Sequence, residues 1–218
     1  MSPDSLRDAA SYPKGKVPRA VREKQILAIA TTLFAEKGYA GTSMEDIVRA
    51  AGVSRPIVYD IAGSKADLYR HVFEHAAAEL DARIRLAVSE SSDLITALRT
   101  AIAVMFEHAD TDPEVLSFVM TGTGDPELDR TVATIRDRTR REIAEVLTAA
   151  VHAAGLHTDE RRIEALVHAV HGACEYAAHW RTIHAPELAM PTLAGWMTAF
   201  IEPGIQALVE ESRTIPPS

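Results

Sequence analysis

The sequence is poor in cysteine and in aromatic residues, and it has no long apolar run. Its single cysteine, Cys174, cannot close an intrachain disulfide or supply a cysteine zinc site, so we expect a reducing compartment, the cytoplasm. No segment approaches the roughly 18 apolar residues of a membrane span, and residues 1–25 lack the apolar run of a secretion signal. We therefore expect no membrane partner. The 218 residues are 47 % hydrophobic and 25 % charged, which is typical of a globular protein with a sizeable core.

Charge is divided unevenly along the chain. Residues 1–65 contain 10 Lys and Arg against 7 Asp and Glu, whereas the remainder contains 13 against 24, within a net charge of −8. Residues 1–19 combine prolines and basic side chains without an apolar period, and they are predicted to form a flexible basic arm. The cations between Lys14 and Lys24 favour a polyanionic partner, and a solvated basic tail is the alternative.

Apolar residues recur at helical spacing through most of the chain. From Ile26 to Phe34 they form one stripe, and Lys37 followed by Gly38 is typical of a helix end, so the first helix is predicted at 20–37. A long helix is predicted to begin at Ser64, followed by helices at 92–108, 112–121, 125–154, 159–184 and 188–210. No stretch alternates with a period of two, so the fold is predicted to be all-α.

Two short helices are predicted between these, joined at Gly52. Ser43 and Ser54 are typical N-caps, and Gly52 can take the left-handed conformation of a tight turn. A helix that enters the major groove of DNA must be short, braced from behind and exposed along one face. The predicted brace consists of Ile47, Val48, Ala51 and Val58. The residues predicted to be presented at the start of the third helix are Ser54, Arg55, Pro56, Ile57 and Tyr59.

The run GYAGTSMEDIVRAAGVS from Gly38 to Ser54, followed by Tyr59 and by SKADLY from Ser64, closely resembles the DNA-binding domain of the TetR family of bacterial transcriptional regulators. The resemblance implies an N-terminal three-helix helix-turn-helix DNA-binding domain at 20–66, followed by a C-terminal helical bundle at 67–218 for ligand binding and dimerisation. It implies phosphate contacts from Thr42, Ser43, Tyr59 and Lys65. It implies base contacts from Arg55, Pro56 and Ile57, beside Ser54.

The sequence departs from the family pattern after Tyr59. The family usually has an aromatic residue, a histidine or polar residue, then Phe and Pro, whereas this chain reads Asp60-Ile61-Ala62-Gly63. Asp60 repels phosphate or accepts a hydrogen bond from a cytosine amino group, and Glu45 adds a second anion near the groove. Ala62 is expected to leave the corner after the third helix looser. The operator sequence therefore stays open.

The last two predicted helices carry small and apolar residues that favour pairing of two copies. The small set is Ala165, Ala169, Gly172, Ala173, Ala177 and Ala178, and the apolar set is Leu193, Trp196, Met197, Phe200, Ile201 and Leu208. Two such helices from each protomer would form a four-helix bundle through residues 159–210, and burial within one subunit is the alternative. The resemblance implies a homodimer that binds a palindromic double-stranded DNA operator.

The resemblance also implies a pocket for a small-molecule effector. Flexible, aromatic and polar side chains of the middle helices are its predicted lining, and plain core is the alternative for each: Met105, Phe106, Phe118, Met120, His171, Cys174 and Tyr176. This mixture suits a small, largely apolar molecule. We expect the effector to shift the long helix that begins at Ser64 and so to lower operator affinity.

The histidines and glycines do not complete a metal, cofactor or catalytic site. His168, His171 and Cys174 recur every three residues without a further ligand at metal spacing, and no glutamate stands three residues before any histidine. Gly122-Thr123-Gly124 lacks the context of a dinucleotide site, and the arginines of 136–141 are interpreted as a solvated face. We predict a ligand-responsive DNA-binding repressor with no enzymatic activity, cofactor or metal. The alternative is a helical small-molecule-binding or enzymatic protein with a vestigial helix-turn-helix.

Overall fold

The computed structural model describes residues 17–111, 113, 115–116, 120, 122–156 and 159–214. Within these residues there is no β-strand, which confirms the predicted all-α fold. The helices are α1 (Arg19–Gly41), α2 (Met44–Ala51), α3 (Arg55–Ala62), α4 (Lys65–Ser89), α5 (Leu94–Thr111), α6 (Pro126–Ala153), α7 (Glu160–His184) and α8 (Met190–Thr214). The predicted arm up to residue 16, and most of the helix predicted at 112–121, lie outside the described residues.

Aspartates at three helix starts account for the small differences between predicted and observed boundaries. Asp93 Oδ1 accepts two backbone N–H groups of the first turn of α5, both at 2.9 Å. Asp125 and Asp159 cap α6 and α7 in the same way, each accepting a backbone N–H at 2.9 Å. An N-cap residue stands outside the helix that it begins. The helices predicted to start at 92, 125 and 159 therefore begin slightly later than predicted.

The regular part of α1 ends where the sequence predicts. Gly38 has φ +70° and ψ 170°, which interrupts the helical geometry directly after residue 37. This φ lies in the region that glycine adopts without steric cost. One short turn then leads to Thr42, and α2 begins at Met44.

The chain forms two compact units, each built from two stretches of sequence. Among the described residues, the first unit contains 17–76 and 111–135, and the second contains 77–110 and 136–214. Helices α4 and α6 contribute residues to both units. The domain boundary predicted between residues 66 and 67 stays a prediction.

Each unit has its own core. In the first unit, Ile26 of α1, Ile47 of α2 and Val58 of α3 are fully buried. A cluster of four rings joins the end of α1 to α4, with neighbouring centroids 5.0 to 6.0 Å apart; it consists of Phe34, Tyr39, Tyr69 and Phe73. In the second unit, aliphatic residues of α4, α6 and α7 form the core, namely Ile84, Ile143, Ala144, Ile163 and Val167. In the described part of the chain, no helix is long and apolar enough to cross a membrane.

Candidate nucleic-acid interface and internal cavity

A tight turn at Gly52 fixes α3 against the rest of the first unit. Gly52 has φ +63°, and its N–H closes α2 by donating to Val48 O at 3.2 Å. Ala51 and Val58 are buried on the inner side, as the predicted brace requires, and Val48 is half-buried. The inner face of α3 is therefore packed, and its other face is presented to solvent.

The first turn of α3 exposes the residues predicted to contact bases. The Arg55 side chain is 61 % exposed, and Ile57, a large apolar residue, is 43 % exposed. Pro56 occupies the first turn, where its missing N–H costs no hydrogen bond. The Arg55 guanidinium lies 5.4 Å from the centroid of the Tyr59 ring, so these two side chains form one exposed cation–aromatic pair.

The start of α2 is closed by a reciprocal capping box. Asp46 N–H donates to Ser43 Oγ at 3.1 Å, and Ser43 N–H donates to Asp46 Oδ2 at 3.1 Å. The Ser43 hydroxyl and backbone N–H are the main causes that lower the pKa of the Asp46 carboxyl. Ser64 and Asp67 repeat this arrangement at the start of α4. A phosphate at Ser43 must therefore compete with the Asp46 carboxylate for the same donors.

Thr42 and Lys65, both predicted phosphate contacts, have internal roles in the structure. Thr42 is 2 % exposed, and its hydroxyl lies 3.0 Å from Leu33 O and 2.8 Å from Gly38 O, two carbonyls in the C-terminal part of α1. Lys65 Nζ donates at 3.0 Å to both Tyr39 O and Thr42 O. These side chains satisfy backbone groups at a helix end, where carbonyls otherwise lack partners. Burial removes Thr42 from the surface, whereas Lys65 is half-buried.

Each of the two acids that the sequence places near the groove is paired with an arginine. Glu45 of α2 accepts a hydrogen bond from Arg55, and Asp60 of α3 accepts one from Arg19 at the start of α1. Arg19 also donates to the backbone carbonyl of Asp60 at 3.1 Å. All four side chains are more than half exposed, so the pairs contribute little to stability. Both anions are neutralised locally, and both pairs can open at low cost.

The second unit contains a cavity of about 160 Å³ among α4, α5, α6, α7 and α8. Its wall is almost entirely aliphatic, and its polar lining residues are Arg162, His171 and Ser212. Two of the predicted pocket residues, Met105 and His171, line it. Most of the other walls come from residues whose pattern resembles ordinary core, including Leu94, Leu98, Leu166, Val170 and Ile205. Leu208, predicted to pair subunits, also lines the cavity.

The remaining predicted pocket residues lie elsewhere. Phe106 is buried and faces a separate groove of α5 and α8, and Met120 belongs to the first unit. Cys174 is buried beyond the cavity wall, and burial together with the Glu175 charge raises the pKa of its thiol to about 12. Tyr176 is 68 % exposed on the surface of α7. Phe118 lies outside the described residues. Helical spacing alone does not tell inward from outward faces on these helices, because the helices are apolar on more than one side.

A buried charge cluster lies beside the cavity. Glu175 of α7 accepts hydrogen bonds from Arg136 at 2.6 Å and from Arg140 at 2.9 Å. Its burial favours the neutral acid, but the neighbouring His171 ring and Arg136 outweigh burial and lower the Glu175 pKa to about 2. The solvated arginine face predicted at 136–141 is thus wrong for Arg136 and Arg140, which turn inward because a buried acid on another helix pairs with them.

Helices α7 and α8 expose large apolar side chains. Tyr176, Trp180 and Ile183 of α7 are exposed, and so are Trp196 and Phe200 of α8, the last with 79 % exposure. From the two sets predicted to pair subunits, Ala178 and Leu193 are instead buried within the second unit. A monomer rarely leaves so many large apolar side chains in water.

Among the described residues, no group of three or more His, Cys, Asp or Glu side chains is placed to hold a metal ion.

Residues 26–72 match the family model described as bacterial regulatory proteins, tetR family. The HTH-type transcriptional activator FasR of Mycolicibacterium smegmatis is 31 % identical over 99 residues, 45 % of each chain. The HTH-type transcriptional repressor KstR2 of Rhodococcus jostii is 29 % identical over 89 residues, 41 % of this chain and 44 % of that protein.

The match to these two relatives spans less than half of their length. Similarity in structure covers more of the chain than similarity in sequence. The transcriptional regulator FadR from Bacillus subtilis, in complex with stearoyl-CoA, superposes with a TM-score of 0.69 at 16 % identity, over 81 % of this chain and 96 % of that chain. The N-terminal helix-turn-helix and the helical C-terminal part that the sequence predicts are thus also the architecture of known regulators.

Proposed function

We propose that this chain is a member of the tetR family of bacterial regulatory proteins and acts as a ligand-responsive DNA-binding transcriptional regulator. The observation that carries the proposal is the exposed first turn of α3. Arg55, Ile57 and Tyr59 stand out from a short helix whose inner face is fully packed. This is the arrangement of a recognition helix in a helix-turn-helix.

The DNA contacts follow from side-chain chemistry. Arg55 has the planar donor fork that reads O6 and N7 of guanine, and Ile57 or Pro56 can pack against a thymine methyl. Binding exchanges the Glu45 carboxylate for a base, which costs little because the Arg55–Glu45 pair is exposed. Ser43, Ser54 and Tyr59 fix the register through phosphates. Lys65, whose Nζ lies 4.2 Å from the centroid of the Tyr39 ring, adds a positive charge that attracts phosphate. Thr42 supports the fold rather than contacting DNA.

In this proposal the protein binds DNA as a homodimer. The exposed apolar side chains of α7 and α8 are the proposed face for a four-helix bundle with a second copy. A two-fold dimer presents two α3 helices, and we expect these to read half-sites of a palindrome one helical turn apart, roughly 34–36 Å.

The cavity of the second unit is the proposed effector site, and the protein is proposed to act as a repressor. Its aliphatic wall suits a small, largely apolar molecule. The likeness to a fold that is known with bound stearoyl-CoA supports a ligand-binding role for this part of the chain. Ile84 of α4 lines the cavity, and α4 begins directly after α3. A ligand that displaces α4 therefore changes the placement of α3 and lowers operator affinity.

The proposal is tested by selecting binding sites for the purified full chain from a library of random DNA duplexes. We expect enrichment of a palindrome bound by two protomers or a multiple of two. Fluorescence anisotropy with the enriched duplex and a scrambled duplex then gives the salt dependence, which should be steep for both because phosphate contacts release counterions. Failure to enrich any sequence over the scrambled duplex contradicts the proposal and favours a vestigial helix-turn-helix.

A further inference from the structure

The cavity of the second unit contains one deeply buried polar side chain with a ring nitrogen that has no partner. His171 of α7 lines the cavity and is 6 % exposed. Nε2 of its ring has no hydrogen-bond partner among the described residues, whereas Nδ1 faces the Glu175 carboxylate. Buried polar groups are almost always satisfied, and the side chains around His171 in the cavity wall are aliphatic. The imidazole is therefore available to a polar group of a molecule bound in the cavity.

The charge cluster beside the cavity decides which ring nitrogen is available. His171 Nδ1 lies 3.4 Å from Oε2 of Glu175. That carboxylate already accepts hydrogen bonds from Arg136 and Arg140, so a protonated imidazole would add a third cation to a buried site. The geometry places the ring proton on Nδ1, which faces the carboxylate. Nε2 is left as a hydrogen-bond acceptor.

The size of the cavity limits the apolar part of the ligand. Arg162, a charged residue of the lining, stands nine residues before His171 on α7, about 14 Å away by helix rise. A volume of about 160 Å³ spread over that length suits a narrow, unbranched chain. Arg162 is already paired with Glu211 at 2.7 Å, so it does not call for an anionic group.

We propose that this cavity selects an unbranched apolar molecule with one hydroxyl group, which donates a hydrogen bond to Nε2 of His171. The inference rests on the proposed effector site and names the chemical class that this site prefers. An ether or a carboxylate of the same size has no proton to donate, and it places a second acceptor against the Nε2 lone pair. A site built to bond a hydroxyl discriminates against analogues that lack it, because its buried polar group is then left unpaired.

The test compares 1-octanol with its isomer 1-methoxyheptane, which lacks the donor, and with octanoate. Isothermal titration calorimetry on the full chain should show octanol binding about tenfold tighter than the ether, with octanoate weakest. His171→Phe should reduce the octanol-to-ether ratio to near one while ether affinity changes less than about twofold. Met105→Leu, a matched change elsewhere in the lining, should keep the wild-type ratio.

The outcomes separate this inference from the proposed function. An unchanged ratio in His171→Phe, or octanoate as the tightest ligand, overturns the hydroxyl preference and leaves the effector site standing. If none of the three probes binds while operator binding is intact, the effector site itself is wrong. If His171→Phe does not fold, the nitrogen NMR signals of wild-type His171 decide instead. Octanol should change the chemical shift of Nε2, and the ether should leave it unchanged. Equal changes with both molecules overturn the inference.

Discussion

The two compact units use polar side chains in opposite ways. In the first unit, the charged side chains of the proposed DNA-binding face lie in water, in exposed pairs such as Arg55–Glu45 and Arg19–Asp60. In the second unit, Glu175 and Arg140 are largely withdrawn from water, beside the partly buried Arg136 and the buried His171. Exposed pairs open at small cost and leave their members free to exchange partners, whereas a buried cluster is costly to break. The proposed DNA-reading surface is thus suited to exchange of partners, and the proposed binding cavity to a fixed geometry.

The buried cluster should give the largest stability effect. Glu175→Gln leaves two inward-turned arginines without their carboxylate, and we expect it to lower the free energy of unfolding by about 3–5 kcal/mol at neutral pH. Because the folded-state pKa of Glu175 is lowered to about 2, its contribution is fully present above its ordinary pKa and is lost as the pH falls towards 2. Urea unfolding at several pH values measures both effects, and the gap between variant and wild type should close in acid.

The matched control for that change is Glu142→Gln. Glu142 lies 3.9 Å from Arg138 with both side chains exposed, so its loss should change the unfolding free energy by at most about 1 kcal/mol. Equal losses for the two glutamates would contradict the distinction between buried and exposed charges.

Shortening an apolar side chain should cost more stability in the packed core of the first unit than at the cavity of the second unit. Ile47→Ala in the fully packed first unit should cost about 2–5 kcal/mol, because it removes buried methyl groups and leaves a void. Leu98 lines the existing cavity and is half-buried, so Leu98→Ala should cost clearly less. Thermal unfolding of both variants measures the difference. A Leu98→Ala loss as large as that of Ile47→Ala would contradict the looser packing of the cavity wall.

DNA discrimination should depend on Arg55 without any loss of stability. Arg55→Ala should weaken binding to the selected operator by about 1–3 kcal/mol, with little change for scrambled DNA. Arg49→Ala removes an exposed arginine from α2 that pairs with Asp46, and it serves as the control. Anisotropy on both duplexes separates the two variants. If Arg55→Ala weakens binding to operator and scrambled DNA equally, Arg55 contacts phosphate and does not read a base.

The smallest effect concerns two serines that precede short helices. Ser43 Oγ accepts an N–H of α2, whereas the Ser54 side chain makes no capping bond to the described residues of α3. Ser43→Ala should therefore cost about 1 kcal/mol of unfolding free energy, and Ser54→Ala close to none. Chemical denaturation of the pair checks this. A Ser54→Ala loss that matches Ser43→Ala would contradict the observed cap geometry.

The first unit could be predicted from the sequence in more detail than the second. Gly38, Gly52, Ser43 and the brace residue Val58 all have the local roles that their patterns indicate. Caps and glycine turns depend on residues that are neighbours in the chain, so they can be predicted from the sequence alone. The roles predicted for Thr42 and Lys65 differ because their partners are carbonyls of α1, and the sequence does not show which donor reaches a distant helix end.

The lining of the cavity could not be predicted in the same way. Of the seven residues predicted, Met105 and His171 line it, and most of the wall consists of leucine, isoleucine and valine that any helical core contains. Tyr176 and Cys174 share one helix with His171, yet one is exposed and the other is buried beyond the wall. The difference depends on which helices pack on each side of α7, and helical period carries no information on this.

The sequence by itself determined the all-α fold, most of the helix boundaries and the helix-turn-helix, because capping, glycine turns and apolar period are short-range effects. Only the tertiary structure decided the pairing of Arg55 with Glu45, of Arg19 with Asp60, and of Glu175 with two arginines. It also decided that His171 lines an apolar cavity with its Nε2 unpartnered among the described residues. The reason is physical: these contacts join residues on different helices, and their energies depend on burial and distance, which arise only when the helices pack.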